Sequence, residues 1–198
     1  MRAGYLTADV PPIGGRLRER PEDFLVDEQP LYQPCGEGEH IYLYVEKRNL
    51  TTHQAIDALA EHFGVERRAV GYAGLKDARA VTRQVFSVHT PGKTFADFPD
   101  LARDGLAVLW SDMHTNKLRV GHLAGNRFSI RIRGMRALDA RHAWAVLERL
   151  ERAGVPNFLG EQRFGARANN HTLARCDIAG DARALLDELL APRDGDDE

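Results

Sequence analysis

An aspartate on a glycine-flanked segment is the first group whose type and spacing could do chemistry. Asp77 follows Lys76 directly, and Gly71 and Gly74 precede them, which allows a tight backbone path or the close approach of a ligand. A neighbouring positive charge favours the ionised form of a carboxylate. We therefore consider Asp77 a candidate nucleophile or general base. The alternative is a solvated Lys-Asp turn, which the residue types alone favour.

A second segment pairs an amide with an aromatic ring. Asn126 carries a donor and an acceptor, which suits the edge of a nucleobase, and Phe128 offers a stacking face of the kind RNA-binding proteins use. The alternative is that Asn126 closes a turn and Phe128 begins a core strand. The arginines that alternate with these residues indicate a solvated strand face, although phosphate contacts would use the same side chains.

Two further segments combine arginine, glycine and phenylalanine. RLRERPEDFLVDE brings three arginines and a proline before Phe24, whose ring could be buried or could stack on a base. VPNFLGEQRFG contains two glycines and the run Gln162-Arg163-Phe164, and it resembles a packed functional loop. Periodicity alone does not assign a role to either segment.

Several classes of protein are poorly supported. The eight histidines form no HxxxH or HExxH pattern, and GxSxG, P-loop and GxGxxG motifs are absent. Cys35 and Cys176 lie far apart, which argues against a disulfide framework or a zinc site and fits a reducing, cytoplasmic compartment. We expect no metal, no cofactor, no signal peptide and no membrane span.

The net charge of −2 at first argues against a nucleic-acid partner, but it is unevenly distributed. Residues 181–198 carry −5, so residues 1–180 carry +3. We interpret the last seven residues, PRDGDDE, as a disordered tail. Residues 1–180 are mildly basic, so the charge leaves RNA binding open.

The elements that would position these residues mix strands and helices without a regular βαβ order. Period-two alternation predicts strands around residues 24–29, 41–47 and 127–133, and AVGYAG, VFSVHT and LAVLWSD are also strand-like. The capping box Thr51–Gln54 predicts a helix that ends at Gly64. We predict further helices from an N-cap at Asp139 to Ala153, with a stripe that includes Leu147, and from Ala182 to Leu190 before Pro192. This mixture predicts an α+β fold.

Taken together, these segments resemble the TruD family of tRNA pseudouridine synthases. The motifs that carry the resemblance cover nearly the whole chain in the order of the family: RERPEDFLVDE, KRNLTTHQAIDALAEHFGV with GYAGLKDARAVTRQ, GNRFSIRIRG and GVPNFLGEQRFG. The resemblance implies a pseudouridine-synthase catalytic domain, with a mixed or antiparallel sheet and flanking helices. It also implies isomerisation of uridine to pseudouridine at position 13 of tRNA, without cofactor or metal.

The resemblance also implies roles for individual residues. Asp77 matches the catalytic aspartate, which would act at the ribose of a flipped-out uridine, as nucleophile or as base. Asn126 and Phe128 match residues that hold and stack the target uridine, and Phe24 matches another aromatic near it. The candidate RNA contacts are all basic: Arg18, Lys76, Arg79 and Arg163.

The chain departs from the family at two basic positions and in length. Ala78 replaces a basic residue after the catalytic aspartate, where Arg79 would compensate. Arg18 replaces a lysine three residues before the PEDF motif, which changes the geometry of the charge. Family members continue well beyond QRFG, so we expect a fold that is incomplete at the C-terminus. The missing C-terminal half of the enzyme is then a candidate partner beside tRNA.

We expect residues 1–153 to form the N-terminal part of the catalytic domain and residues 154–198 to begin the family-specific inserted domain. Two other functions stay open from the residues. One is a truncated or degenerate relative that binds RNA without catalysis. The other treats the motifs as signatures of the fold in a protein of unrelated role.

Overall fold

The computed structural model describes residues 6–155, 160–165 and 167–191. Contacts divide the chain into two compact units, one of residues Asp9–Ala143 and one of Met1–Ala8 with Trp144–Glu198. The expected domain boundary after Ala153 stays a prediction. The acidic segment 192–198, expected to be disordered, and Pro192 lie outside the described residues.

The larger unit is built on a mixed six-stranded sheet. Its strands are β1 Phe24–Pro30, β2 His40–Arg48, β3 Val70–Tyr72, β4 Val81–His89, β5 Leu106–His114 and β6 Leu123–Ile130. The order across the sheet is β5-β2-β4-β1-β6, and β3 pairs with β4. The β1–β4 pair is parallel and the other pairs are antiparallel. The predicted α+β class is confirmed.

The strand register divides the side chains into two faces. Ile41, Leu43 and Val45 of β2 are fully buried on one face, as their alternation predicted. We call this the inner face. Because residues directly opposite in a pair point to the same side, β2 Val45 and its β4 partner Gln84 share the inner face.

The helix predicted after β2 is present as α1, Thr52–Phe63. The Thr51 hydroxyl accepts from the Gln54 N–H, the Gln54 side chain returns to the Thr51 N–H, and Gly64 follows with φ 63°. All three features were predicted from sequence. Apolar residues of α1 such as Ile56, Leu59 and Phe63 pack with the inner face to form the main core.

The smaller unit contains the end of α2 (Ala140–Ala153), α3 (Asn170–Ile178) and α4 (Ala182–Leu190). The bounds of α4 match the prediction, whereas α3 was not predicted. Leu147, placed on the apolar stripe of α2, is 60% exposed. Asp139 ends a 3₁₀ turn before α2, and its carboxylate binds the Arg136 guanidinium at 2.8 and 3.0 Å.

The predicted strand around residues 127–133 is displaced toward the N-terminus, because β6 begins at Leu123 and ends before Arg131. Strand β6 ends at Ile130. Arg133 lies beyond it in an isolated bridge with Arg16, and the Arg131 N–H donates to the Asp23 carbonyl. Hydrogen bonds to the segment before β1 therefore end the strand where the side-chain pattern alone would continue it.

Candidate active site

The segment that carries Asp77 lies over the inner face between β3 and β4. The Gln84 side chain donates to the Gly74 carbonyl at 3.2 Å, and the Lys76 N–H donates to the Thr52 hydroxyl at 3.0 Å. Thr52 is the first residue of α1 and Gln84 lies on β4, and both are buried. Buried polar side chains therefore hold this segment by its backbone, which fixes the path of the chain on both sides of Lys76.

Lys76 anchors the segment through a buried ion pair. Its Nζ lies 2.5 Å from Oε2 of Glu28 on β1, and the two side chains are 4% and 1% exposed. The other carboxylate oxygen of Glu28 accepts from the Val85 N–H at 3.1 Å. Because removal of one partner would leave the other charge buried and unpaired, this pair ties the segment to the sheet.

A second buried lysine, Lys47 of β2, holds Asp77 by its main chain. The Lys47 Nζ donates to the carbonyl oxygens of Asp77 at 2.8 Å and Leu50 at 2.7 Å, and it lies 3.5 Å from that of Lys76. The residue is 1% exposed. Burial lowers the pKa of its ammonium to about 8, although the Asp77 charge acts in the opposite direction.

The Asp77 side chain itself stays accessible. Its carboxylate is 42% exposed and lies 3.3 Å from Nη1 of Arg18, which is 38% exposed. The cation that faces Asp77 is therefore Arg18, and not the adjacent Lys76, because the Lys76 ammonium is turned to Glu28. A carboxylate anchored through its backbone and open at its side chain can reach a ligand.

Arg18 connects the carboxylate to two aromatic rings. It adopts a left-handed backbone conformation, with φ 56°, which is uncommon for a residue with a side chain. Its guanidinium carbon lies 3.7 Å from the centroid of the Phe24 ring. Phe24 in turn meets Phe128 edge to face, with centroids 5.9 Å apart. The structure thus brings Asp77, Arg18, Phe24 and Phe128 into one connected set.

Strand β6 presents its candidate residues on the inner face beside this set. Asn126 pairs with Glu28 and Phe128 with Val26 in the antiparallel register, so both point to the same side of the sheet as the buried Glu28. Phe128 is 54% exposed and Asn126 is exposed. The interpretation of Phe128 as a core residue is therefore wrong, and its ring is available to a ligand.

The 3₁₀ turn Pro21–Asp23 positions Phe24 at the start of β1. Asp23 is fully buried and accepts from Nε and Nη2 of Arg133, each at 2.7 Å. The Arg133 guanidinium lowers the pKa of this carboxyl below its usual range. Arg133, interpreted from sequence as a solvated or phosphate-binding residue, is thus paired with Asp23 and links the end of β6 to this turn.

The remaining candidates differ in how they lie relative to this set. Arg79 is exposed and forms no ion pair within the described part of the chain. Arg163 belongs to a short 3₁₀ turn of the other unit. A Cβ at Gly71 would clash with the Leu118 carbonyl, so the close approach that Gly71 allows is made by the protein backbone and not by a ligand.

Sequence analysis missed the two buried charged residues, Glu28 and Lys47. The sequence pattern could have identified them, because both lie at inward-facing positions of their strands. Glu28 continues the parity of Phe24 and Val26, and Lys47 continues that of Val45. A charged side chain at an inward position must be paired or strongly hydrogen-bonded, so it marks a polar site beneath it.

Residues 6–155, 160–165 and 167–191 contain neither a cluster of metal-binding side chains nor a membrane-spanning helix. No group of three or more His, Cys, Asp or Glu side chains in these ranges is arranged to hold a metal ion. No helix in the same ranges is long and apolar enough to cross a membrane.

Comparisons with known proteins identify the family of the chain. The profile of the family tRNA pseudouridine synthase D (TruD) matches residues 1–198. The chain is 50% identical to tRNA pseudouridine synthase D of Geotalea daltonii, over 96% of the chain and 47% of that relative. It is 49% identical to the protein of the same name from Thermus thermophilus, over 83% of the chain and 46% of the relative.

A solved structure shares the fold. The crystal structure of the putative tRNA pseudouridine synthase D (TruD) from Methanosarcina mazei aligns with a TM-score of 0.71 at 28% identity, over 96% of this chain and 44% of that one. The chain thus spans about half the length of the relatives it matches. Since the family profile covers all 198 residues, the chain belongs to the tRNA pseudouridine synthase D (TruD) family.

Proposed function

We propose that this chain carries the catalytic aspartate of an enzyme that isomerises uridine to pseudouridine at position 13 of tRNA, without cofactor or metal. The observation that carries the proposal is the state of Asp77. Its carbonyl oxygen accepts a hydrogen bond from the buried Lys47 ammonium, while its carboxylate is exposed to solvent and faces Arg18. An anchored and accessible carboxylate that is linked through Arg18 and the buried Phe24 ring to the exposed Phe128 ring fits a reaction at the ribose of a bound nucleotide.

The isomerisation exchanges one bond of the base for another. The N1–C1′ glycosidic bond breaks, the uracil rotates, and a C5–C1′ bond forms. C5 then loses its proton to solvent, and N1 ends protonated, so the product is an isomer of the substrate. Asp77 acts at the ribose while the base is detached, either by attack on the sugar or by removal of a proton from it.

The exposed residues of β6 and their neighbours bind the target nucleotide. The uridine is flipped out of its stack to reach Asp77, Asn126 holds an edge of the base, and Phe128 stacks on it. Phe24 is only 9% exposed and packs edge to face against Phe128, so it supports the stacking ring. The exposure of Asn126 and Phe128 on the side of the sheet that carries Glu28 supports these roles.

Basic residues contact the RNA backbone. We assign this role to Arg18 and Arg79, which are partly or fully exposed, and to Arg163 of the other unit. Lys76 is assigned a different role from the one expected. Its ammonium is buried against Glu28, so it anchors the segment that carries Asp77 instead of binding phosphate.

The polypeptide that corresponds to the second half of the relatives completes the site as a partner. Two features of β6 support this. Among the described strands, β6 pairs only with β1, which leaves its other edge free. Ile130, the last residue of β6, is 50% exposed although it is apolar.

The test is the release of tritium from tRNA that contains uridine labelled at C5, since formation of the C5–C1′ bond expels that hydrogen. We expect Asp77→Ala to abolish release while its affinity for tRNA stays close to that of the wild type. Asp100→Ala is the matched control, because Asp100 is an exposed aspartate of the same unit away from the site. The control should release tritium at the wild-type rate.

Three outcomes separate the functions. Release at the wild-type rate by Asp77→Ala contradicts the assignment of Asp77. If the wild-type chain binds tRNA in a salt-dependent way but releases no tritium at any protein concentration, the result favours RNA binding without catalysis. Release by the isolated 198-residue chain excludes that alternative.

A further inference from the structure

A cavity of about 520 Å³ lies away from the site described above, at the other end of the sheet. Its lining is polar and basic and contains no acidic side chain. Its lining residues include Tyr32, His114, Asn116, Lys117, Arg119 and His122. Two guanidinium or ammonium groups and two imidazoles around one opening favour an anionic ligand.

The floor of this cavity is a chain of hydrogen bonds that ends on His122. The buried Tyr42 hydroxyl donates to the Asn116 carbonyl at 2.9 Å, so its oxygen accepts from the Tyr32 hydroxyl at 3.3 Å. The Tyr32 oxygen then accepts from Nδ1 of His122 at 3.0 Å. Burial raises the pKa of Tyr42, which keeps its hydroxyl proton in place.

This order of donors fixes the orientation of His122. Its Nδ1 carries the proton, and its Nε2 makes no hydrogen bond to any residue that the structure describes. His114 is held in a similar way, with Nδ1 3.2 Å from the Cys35 sulfur and its ring 4.8 Å from that of Tyr42. Both imidazoles are therefore positioned by the protein before any ligand arrives.

The two permanent cations complete the cavity. Arg119 is exposed and forms no ion pair within the described ranges. The Lys117 ammonium donates to the Arg68 carbonyl, which holds it at the rim. Both residues also line a neighbouring, mainly apolar cavity of about 420 Å³ that contains Tyr72 and Val120. Adjoining polar and apolar cavities suit a ligand that alternates charged and uncharged groups, as a polynucleotide does.

The His114 side of the cavity lies far from Asp77. His114 pairs with His40 at the first residue of β2, whereas Lys47, which binds the Asp77 carbonyl, stands seven residues further along that strand. At about 3.3 Å per residue, these two positions on β2 lie roughly 23 Å apart. The His122 side is nearer, because the N–H of the adjacent Gly121 donates to the Ala73 carbonyl at 2.8 Å. A polynucleotide bound at Asp77 is long enough to contact this cavity as well.

We propose that this cavity binds a phosphodiester of the tRNA backbone, with Arg119 and Lys117 as the charged contacts and His122 and Asn116 as hydrogen-bonding groups. The inference rests on the proposed function, because that function supplies the polyanion. The site would hold the tRNA at a distance from the reacting nucleotide. Contacts of this kind set the register of the RNA and carry no sequence information.

The first test compares Arg119→Ala with Arg103→Ala, which removes an equal charge from an exposed arginine of the same unit away from the cavity. The affinity of the 198-residue chain for tRNA is measured by fluorescence anisotropy at several salt concentrations. We expect Arg119→Ala to weaken binding and to reduce the slope of log affinity against log salt by about one. Arg103→Ala should leave the slope at the wild-type value.

The second test locates the RNA with the two natural cysteines. Cys35 is exposed at the edge of the cavity beside His114, and Cys176 lies on α3 of the other unit. We expect saturating tRNA to slow the alkylation of Cys35 by iodoacetamide at least threefold, as measured by mass spectrometry. Alkylation of Cys176 serves as the internal reference and should change less.

Equal salt slopes for the two arginine variants would overturn the inference, and so would undiminished alkylation of Cys35 in the bound chain. Absence of any tRNA binding by the wild-type chain would also overturn it. The proposed isomerase function fails on a different result, the release of tritium by Asp77→Ala, so the two failures are distinguishable.

Discussion

One face of a single sheet supports two regions of opposite character. Beneath α1, the inward residues of β2 and β4 are apolar, such as Leu43 and Phe86, and both are fully buried. Beneath the segment that carries Asp77, the inward residues are Glu28, Lys47 and Gln84, which are equally buried but polar. The first region is closed by a helix packed through side chains, and the second by a segment held through its backbone.

The difference shows how the fold provides a rigid core and an open site on the same strands. Hydrophobic contacts are non-directional, so α1 needs only a matching apolar stripe. Hydrogen bonds and ion pairs are directional, so Lys47 and Gln84 fix the backbone of the segment and Glu28 binds its Lys76 side chain. The Asp77 carboxylate stays accessible beside Arg18. Substitutions confined to one region should therefore change the stability of the fold to different extents.

Removal of one partner of the buried ion pair should have the largest effect. Lys76→Met leaves Glu28 without its cation, and we expect it to lower the free energy of unfolding by about 3–5 kcal/mol in urea. Lys76→Met combined with Glu28→Leu removes both charges and should recover part of that loss. If the double variant were no more stable than Lys76→Met, the loss of stability would not come from an unpaired Glu28 charge.

A cavity in the apolar region should cost somewhat less. Leu59 of α1 is fully buried in the core, and we expect Leu59→Ala to lower the free energy of unfolding by roughly 3 kcal/mol. Leu109→Ala is the control, since Leu109 is 47% exposed on β5, and it should change stability by less than about 0.5 kcal/mol. A similar loss in both variants would contradict the assignment of the core.

The polar region should also give stability a dependence on pH. The pKa of Lys47 is lowered by burial to about 8, from 10.5 in an exposed lysine, so between these values the unfolded chain binds more protons than the folded one. The contribution of Lys47 to stability should therefore rise with pH from about 8 to 10.5. Urea unfolding of the wild type and of Lys47→Met at pH 7, 8, 9 and 10 isolates this contribution as the difference between the two curves.

The direction in which this difference in stability changes with pH shows whether Lys47 titrates as a buried group. If Lys47 carries the effect, the wild type gains stability relative to Lys47→Met as the pH increases through this window. Parallel curves for the two proteins would show that Lys47 titrates as an exposed lysine does, which would contradict its buried role.

The smallest effect on stability is expected at Phe128, whose ring is 54% exposed. Phe128→Ala should change the free energy of unfolding by less than about 1 kcal/mol, because little apolar area is lost. We expect its affinity for tRNA to fall by about 1–3 kcal/mol, the usual value of one base–aromatic stack. Phe128→Tyr should retain most of the affinity. Equal affinity in all three proteins would contradict a stacking role.

Local features of the fold could be predicted from the sequence. The capping box Thr51–Gln54 defines the start of α1 and Gly64 defines its end, and each signal consists of residues that are close in the chain. The alternation in β2 identifies its buried face without knowledge of its neighbours. Helix α3 was missed because Leu173 and Cys176 form too short a stripe to indicate a helix.

The site could be predicted only in part, because its groups meet over long distances in sequence. Asp77 was identified as a candidate, yet its facing cation was expected to be the adjacent Lys76 and is Arg18, 59 residues earlier. Lys76 instead pairs with Glu28, 48 residues away. Pairing across the sheet decides which charges are buried together, and no local pattern contains that information.

We propose that the Asp77 carboxylate performs the isomerisation on a backbone that the polar region holds in place. Asp77→Asn tests it most directly, because the amide preserves the size of the side chain and removes its charge. Tritium release is measured under single-turnover conditions from tRNA with uridine at position 13, and from tRNA with cytidine there. We expect the wild type to release tritium only from the tRNA with uridine at position 13. Asp77→Asn should release no tritium from either tRNA. Release by Asp77→Asn at the wild-type rate would contradict it.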